Sequence, residues 1–224
     1  MLISDETIST AEVAFIAGLT ERDISRLRDE NALPAALQAP GDTPRFAPLA
    51  APFAAFYFRG NRRLTSAMRA SVISTLTERV LRRADFELFL TLDERLRSVE
   101  FDWSIAIGAT SVSLSSLVRE SLKSLGRVKQ AARSIEEDAE VLGGTPCFRR
   151  TRVPIANVLA AINDGTPFDQ LKAAYPFLTR ALLSDAEIFA KTHPNVAAPV
   201  RIRERYPNAT LVRKKIIRTA RNGK

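Results

Sequence analysis

Residues 9–28 read Ser9-Thr10-Ala11-Glu12-Val13-Ala14-Phe15-Ile16-Ala17-Gly18-Leu19-Thr20-Glu21-Arg22-Asp23-Ile24-Ser25-Arg26-Leu27-Arg28. Ser9 is a strong N-cap, and Glu12 three residues on completes a capping box. The spacing predicts a helix from Thr10 to about Ala17, stopped by Gly18. Thr20 caps a second helix predicted to reach about Ala32, with Pro34 ending it. The product is helix, short glycine-containing turn, helix. Ala14 is small enough for the two helices to approach, and Gly18 can adopt the left-handed backbone of a tight turn. Ile24 and Leu27, three residues apart, share the face of the second helix that packs back on the first.

At Ala14, Gly18, Ile24 and Leu27 the stretch resembles the standard helix-turn-helix pattern of DNA-binding proteins. Arg22, Ser25 and Arg26 share the outward face of the second helix, with Asp29 one turn on. Such a helix fits the major groove, where arginine reads guanine edges and shorter polar groups hold phosphate. The candidate DNA-binding residues are therefore Thr20, Arg22, Ser25, Arg26 and Arg45. Glu21 and Asp23 keep open the plainer reading of a solvated face of mixed charge. Pro40-Gly41-Asp42 is a turn, so residues 38–46 form a small hairpin or wing. Arg45 followed by Phe46 resembles the wing of MerR-type winged helices. In that resemblance the basic residue meets the nucleic-acid backbone and the aromatic anchors the wing. A third helix is expected over about Ala47 to Arg59, burying Leu49, Phe53, Phe56 and Tyr57.

At 224 residues the chain has room for one large domain or two small ones. With 46% apolar and 26% charged residues it reads as a folded, soluble protein. The acidic start, Met1 to Glu6, lacks the order of a secretion signal, and the apolar run from Pro48 to Phe58 is too short to span a bilayer. One cysteine, Cys147, allows no internal disulfide and fits a cytoplasmic location. With one further candidate ligand in His193, no Cys/His metal cluster can form. There is no Walker loop, dinucleotide glycine turn or HExxH. The expectation is a non-enzyme without cofactor or metal; an unrecognised all-carboxylate site is the enzymatic alternative.

The middle of the chain predicts a helix over 64–83, capped by Thr65, with Met68, Val72, Leu76 and Val80 along one stripe. That stripe is core or a dimer seam, with core preferred because the helix is short for a coiled coil. Phe86 to Leu90 and Ile105 to Ile107 have strand character, and Ser115 to Ser134 reads as a helix with Val118, Leu122 and Leu125 on its apolar edge.

Residues 138–155 read Asp138-Ala139-Glu140-Val141-Leu142-Gly143-Gly144-Thr145-Pro146-Cys147-Phe148-Arg149-Arg150-Thr151-Arg152-Val153-Pro154-Ile155. Locally, this is a Gly143-Gly144-Thr145-Pro146 turn followed by an extended arm from Cys147 to Ile155. Gly165 ends the next helix. Thr166, Pro167 and Asp169 begin another, stopped at Tyr175-Pro176, and Thr179 caps a last helix to about Lys191. The segment resembles a small helical domain of unknown function found in VapB-type antitoxins, whose pattern is roughly DPxxxGGxPxFxGTRVPV. Arg150 stands where that pattern has glycine, and Ala139 where it has proline. If the glycine is needed for positive φ, Arg150 would be strained there by about 1–2 kcal/mol, and the strand is expected to leave the turn differently. The cluster Arg149, Arg150 and Arg152 is either a binding surface or edge-strand charge that discourages aggregation.

The formal charge of +8 is concentrated in residues 200–224, where nine basic side chains face one acid, Glu204. An acidic partner or a solvated tail are the two readings of that composition. The fold class expected is mainly α with small β elements. It divides into a winged helix-turn-helix (1–62), a middle region with a possible dimerisation role (63–134), a second helix-turn-helix-like helical domain (135–194) and a basic tail (195–224). The resemblance implies an antitoxin that represses its own operator DNA and neutralises a PIN-like ribonuclease toxin, as a homodimer or within a toxin–antitoxin hetero-oligomer, without membrane contact. The candidate toxin-binding residues are Arg201, Arg203, Arg205, Arg213, Lys214, Lys215 and Arg218. The alternative is a stand-alone helix-turn-helix regulator with no toxin partner.

Overall fold

Capping chemistry sets the start of the first helix. A computed structural model describes residues 6–60, 64–108 and 110–194, and its architecture is mainly α with small β elements. Strand β1 is Ile8–Ser9, and Ser9 caps helix α1, Thr10–Ala17. The box closes in both directions: the Glu12 amide donates to Ser9 Oγ at 3.2 Å and the Ser9 amide to Glu12 Oε2 at 2.7 Å. Gly18 turns the chain at φ +65°, and helix α2 spans Glu21–Asp29. This helix ends short of Ala32 because Asn31 takes the left-handed conformation at φ +50°. The Asn31 amide then donates to the Arg28 carbonyl at 2.9 Å and the Ala32 amide to that of Leu27 at 3.1 Å, a Schellman closure.

The hairpin is present. Strands β2, Gln38–Ala39, and β3, Arg45–Phe46, flank the 40–44 turn, and β3 lies between β2 and β1 in a three-stranded antiparallel sheet. Ile8 and Gln38 both pair with Phe46, whose buried ring fixes the hairpin to the core. Helix α3, Ala50–Arg59, starts three residues later than expected and buries Phe53, Phe56 and Tyr57, with Leu49 buried just before it.

Helix α4 is Ser66–Leu81, capped by Thr65. Val72, Leu76 and Val80 enter the core, whereas Met68 is 36% exposed, so the buried stripe begins one turn late. Phe86–Leu90 is a short helix, α5, and not a strand. Phe89 and Leu90 are adjacent and both fully buried, which the alternation of a half-buried strand forbids and a helical turn allows. Strands β4, Ser104–Ile107, and β5, Thr110–Ser113, make a separate antiparallel pair.

Helix α6, Ser115–Ser134, runs for 20 residues and buries Val118, Leu122, Leu125, Val128 and Ala131. It leads into β6, Ile135–Glu136, which pairs with β7, Cys147–Phe148. Helices α7, Ile155–Asn163, α8, Phe168–Ala174, and α9, Arg180–Thr192, follow. Thr166 does not cap α8, whose N-cap is Pro167. Its amide instead closes α7 by donating to the Ala161 carbonyl at 2.9 Å, with Gly165 left-handed between them. Helix α6 packs against α1, α3 and α9, and one apolar core runs unbroken from Ile8 to Phe189. Sequence positions 62 and 134 both fall between residues of that core. Among the described residues, no helix is long and apolar enough to cross a membrane.

The arm expected from Cys147 to Ile155 is a tight hairpin after Phe148. The Phe148 amide donates to the Val153 carbonyl at 3.1 Å, and Thr151 Oγ1 donates to the Phe148 carbonyl at 2.7 Å while accepting from the Val153 amide at 3.1 Å. Arg150 holds φ +61°. The turn therefore keeps the glycine conformation, and the arginine takes the strain. Arg150→Gly should relieve about 1–2 kcal/mol of left-handed strain against a glycine entropy cost of about 0.5–1 kcal/mol. The expected result is a higher urea midpoint with an unchanged denaturant slope; a lower midpoint would show the turn to be relaxed as it stands.

Candidate nucleic-acid interface

Helix α2 owes its orientation to two buried side chains. Ile24 and Leu27 are both fully buried against the core, so Arg22, Ser25, Arg26, Arg28 and Asp29 are all turned to solvent. Thr20, at the N-cap, has its hydroxyl committed to the helix. Thr20 Oγ1 donates to Asp23 Oδ2 at 2.7 Å and accepts from the Asp23 amide at 3.2 Å, while the Thr20 amide donates to Asp23 Oδ2 at 3.0 Å. The Thr20 hydrogen bonds, helped by nearby Arg26 and Arg22, hold the Asp23 carboxyl below the usual aspartate range. Asp23 is thereby folded into the cap as a carboxylate, its charge fixed beside Arg22 and Arg26.

The other acid in the first turn of α2, Glu21, stays exposed, whereas a third acid close to the arginines, Glu30, is hydrogen-bonded as Asp23 is. Glu30 accepts from the phenol of Tyr57 and from Arg26 Nε, the latter at 2.6 Å. The Tyr57 hydrogen bond first, then Arg26, pull the Glu30 carboxyl below the usual glutamate range. Burial, followed by the bond to Glu30, pushes the Tyr57 phenol up, so it stays a donor at neutral pH. Arg26 remains 65% exposed at its side chain, with its guanidinium 5.8 Å from the Phe58 ring centroid. The Tyr57–Glu30–Arg26 chain thus fixes the base of Arg26 and leaves its outer nitrogens available.

Arg22 has no hydrogen-bond or ion-pair partner among the described residues. Ser25 donates its hydroxyl to the Glu21 carbonyl at 3.1 Å and keeps its lone pairs. Arg45 is exposed on β3 but leans to the chain start, donating to Thr7 Oγ1 at 3.0 Å and to the Thr7 carbonyl at 2.6 Å. The structure also points to Arg28, not singled out from sequence, which is exposed and only 3.7 Å-paired with Asp29. Its position two residues after Arg26 was the available signal. Arg149, Arg150 and Arg152 stand together, exposed, on the hairpin after β7. Arg201, Arg203, Arg205, Arg213, Lys214, Lys215 and Arg218 lie outside the described residues.

The Tyr57–Glu30 bond carries a pH prediction. Because the Glu30 carboxyl is depressed, its contribution is present above the ordinary glutamate value of about 4.3 and is lost as pH falls through the lower folded value. Tyr57→Phe should therefore melt below the native protein at pH 7, and the gap should close as pH is lowered below the ordinary glutamate value of about 4.3. A gap that stayed constant on that acidification would assign it to packing instead.

The lone thiol and lone histidine occupy structural positions. Cys147 is buried, which pushes its thiol up. His193 stacks on Phe189 at 4.2 Å and 8° at the end of α9.

The hairpin β6–β7 and helices α7 to α9 make up the C-terminal part of the described residues. Residues 135–190 match the DUF433 family, described as a protein of unknown function. The DUF433 segment starts with β6 and ends inside α9, and its Gly143 and Gly144 take φ +64° and +80°. Beyond it, the chain is 28% identical over 189 residues to a protein of Sinorhizobium fredii (strain NBRC 101917 / NGR234) described as "Uncharacterized protein y4eO". That alignment covers 84% of this chain and 82% of the relative, so the likeness extends well outside the DUF433 segment. No solved structure matches the chain.

Proposed function

We propose that the chain is an antitoxin-type repressor, a cytoplasmic, non-enzymatic protein that reads an operator beside its own gene and silences a toxin. The observation that carries the reading is the arginine-bearing face of α2, turned outward by Ile24 and Leu27 after the left-handed Gly18. In this reading α2 lies in the major groove, Arg22 and Arg26 meet guanine edges, and Arg28 and Arg45 hold phosphates. The β2–β3 hairpin serves as a MerR-type wing beside it. Two copies read a site together, since one such unit covers a single half-site.

The second half of the proposal concerns the C-terminal part. Helix α9 presents Glu187 alongside Arg180 and Lys191, a mixed face unsuited to phosphate, so the DUF433 segment and the basic tail are assigned to protein contact. The toxin proposed is a PIN-like ribonuclease, in which clustered carboxylates hold a metal ion. An arginine or lysine from among Arg213, Lys214, Lys215 and Arg218 would pair with those carboxylates and compete with the ion.

The test is co-expression with the neighbouring gene, with the full chain and with residues 211–224 removed. The expected outcome is copurification and a silent nuclease with the full chain. The shortened chain should release nuclease activity while still shifting its own upstream DNA. Inhibition unchanged by the truncation would remove the tail from the mechanism. DNA binding without any copurifying neighbour would favour a stand-alone regulator.

A further inference from the structure

A cavity of about 660 Å³ opens between α5, the 94–103 segment and α6, away from the α2 face. Its wall is an aromatic cluster: Phe89, Phe101 and Trp103 meet with ring centroids 4.5 to 5.9 Å apart, all tilted. Val118 and Leu122 of α6 close the apolar side, and the rim carries three cations, Arg97, Arg119 and Lys123. Among the described residues, no carboxylate lines the cavity.

The rim cations differ from their neighbours. Arg79, Arg83 and Arg95 each have an acidic partner, in Asp102, Asp85 and Asp93. Bonds from Arg95 hold the Asp93 carboxyl down at about 2. Arg97, Arg119 and Lys123 have no ion pair among the described residues, and all three are exposed around one opening. On α6, positions 115, 118, 119, 122 and 123 share one helical face, so the apolar floor and its charges are presented as a unit. An apolar hollow of this size with a few polar groups at its mouth has the form of a small-molecule site. The charge selects the occupant: residues 200–224 of the chain, nine basic side chains to one acid, would be repelled, and a cation likewise.

We infer that this cavity binds an aromatic small-molecule anion, its rings against the wall of Phe89, Phe101 and Trp103 and its acid group on Arg97, Arg119 and Lys123. Offset and edge-on ring contacts favour an aromatic body, and guanidinium groups favour a planar carboxylate or a sulfonate. The inference stands independently of the operator and toxin reading, since none of its residues belongs to either.

Trp103 is the sole tryptophan and so reports on the site directly. The full-length protein is titrated with 1-anilinonaphthalene-8-sulfonate and, separately, with its uncharged counterpart N-phenyl-1-naphthylamine. The expected result is one saturable site that quenches Trp103, with the anionic dye bound at least tenfold more tightly. Arg119→Gln with Lys123→Gln should lower that preference several-fold without altering the uncharged dye's affinity, and Arg119→Lys with Lys123→Arg should restore it. Salicylate should displace the anionic dye from the native protein. Equal affinity for the two dyes, an unchanged preference in the glutamine variant, or dye binding without quenching of Trp103 would each overturn the assignment.

Discussion

Replacing Arg22 and Arg26 together by alanine should lower affinity for the upstream DNA at least thirtyfold while leaving the melting temperature nearly unchanged. Each arginine that reads a base edge by two parallel hydrogen bonds is worth about 1–3 kcal/mol of discrimination, so two lost contacts amount to about 2–6 kcal/mol. Neither side chain contributes to the core, because Ile24 and Leu27 alone carry the inward face of α2. Glu30 keeps its Tyr57 donor when Arg26 is removed, so no carboxylate is left stranded. Arg28→Ala makes the useful contrast. As a phosphate contact it should weaken binding about equally for all sequences and flatten the dependence of log affinity on log salt by roughly one unit. The measurement is DNA binding at fixed salt, beside thermal melts of each variant. A double variant that still bound the operator with native affinity would remove α2 from the interface.

The second large effect is expected far from α2. Phe148 is 1% exposed and meets Phe177 edge-on at 5.6 Å between ring centroids. Phe148→Ala should cost about 3–5 kcal/mol, a large share of the roughly 5–15 kcal/mol that stabilises a domain. The more informative readout is where the loss is felt. Since the apolar core is continuous from Ile8 to Phe189, denaturation followed by Trp103 fluorescence and by helical circular dichroism should shift together to lower denaturant. If the Trp103 transition stayed in place while part of the helical signal melted early, the DUF433 segment would be unfolding as an independent unit.

Much of this structure was legible in the sequence wherever the chemistry is local. Ser9 and Glu12, Thr65 and Thr179 cap the helices expected of them, and Gly18 and Gly165 take the left-handed turns. What was illegible has an equally physical cause. Phe86 to Leu90 is too short for periodicity to separate strand from helix, and only the burial of two adjacent residues decides it. Asn31 ends α2 ahead of Pro34, because its left-handed turn satisfies the last carbonyls before the proline is reached. Arg150 shows tertiary context overriding local preference: the hydrogen bonds of Phe148, Thr151 and Val153 impose a glycine-like turn on an arginine. In the candidate site on α2, the four spaced positions Ala14, Gly18, Ile24 and Leu27 were visible. The link from Tyr57 to Glu30 spans 27 residues, and no local pattern records it. The aromatic cavity was invisible for the same reason, since its walls come from segments that only the fold brings together.

Helix α6 packs against both α1 and α9, the first and last helices among the described residues. In a protein that melts as one body, any molecule recognising only the native form raises the unfolding free energy of every segment, by about 2.7 kcal/mol when present at a hundred times its dissociation constant. Occupancy at one end would therefore slow amide hydrogen exchange at the other wherever exchange requires global opening, with no shape change to transmit the message.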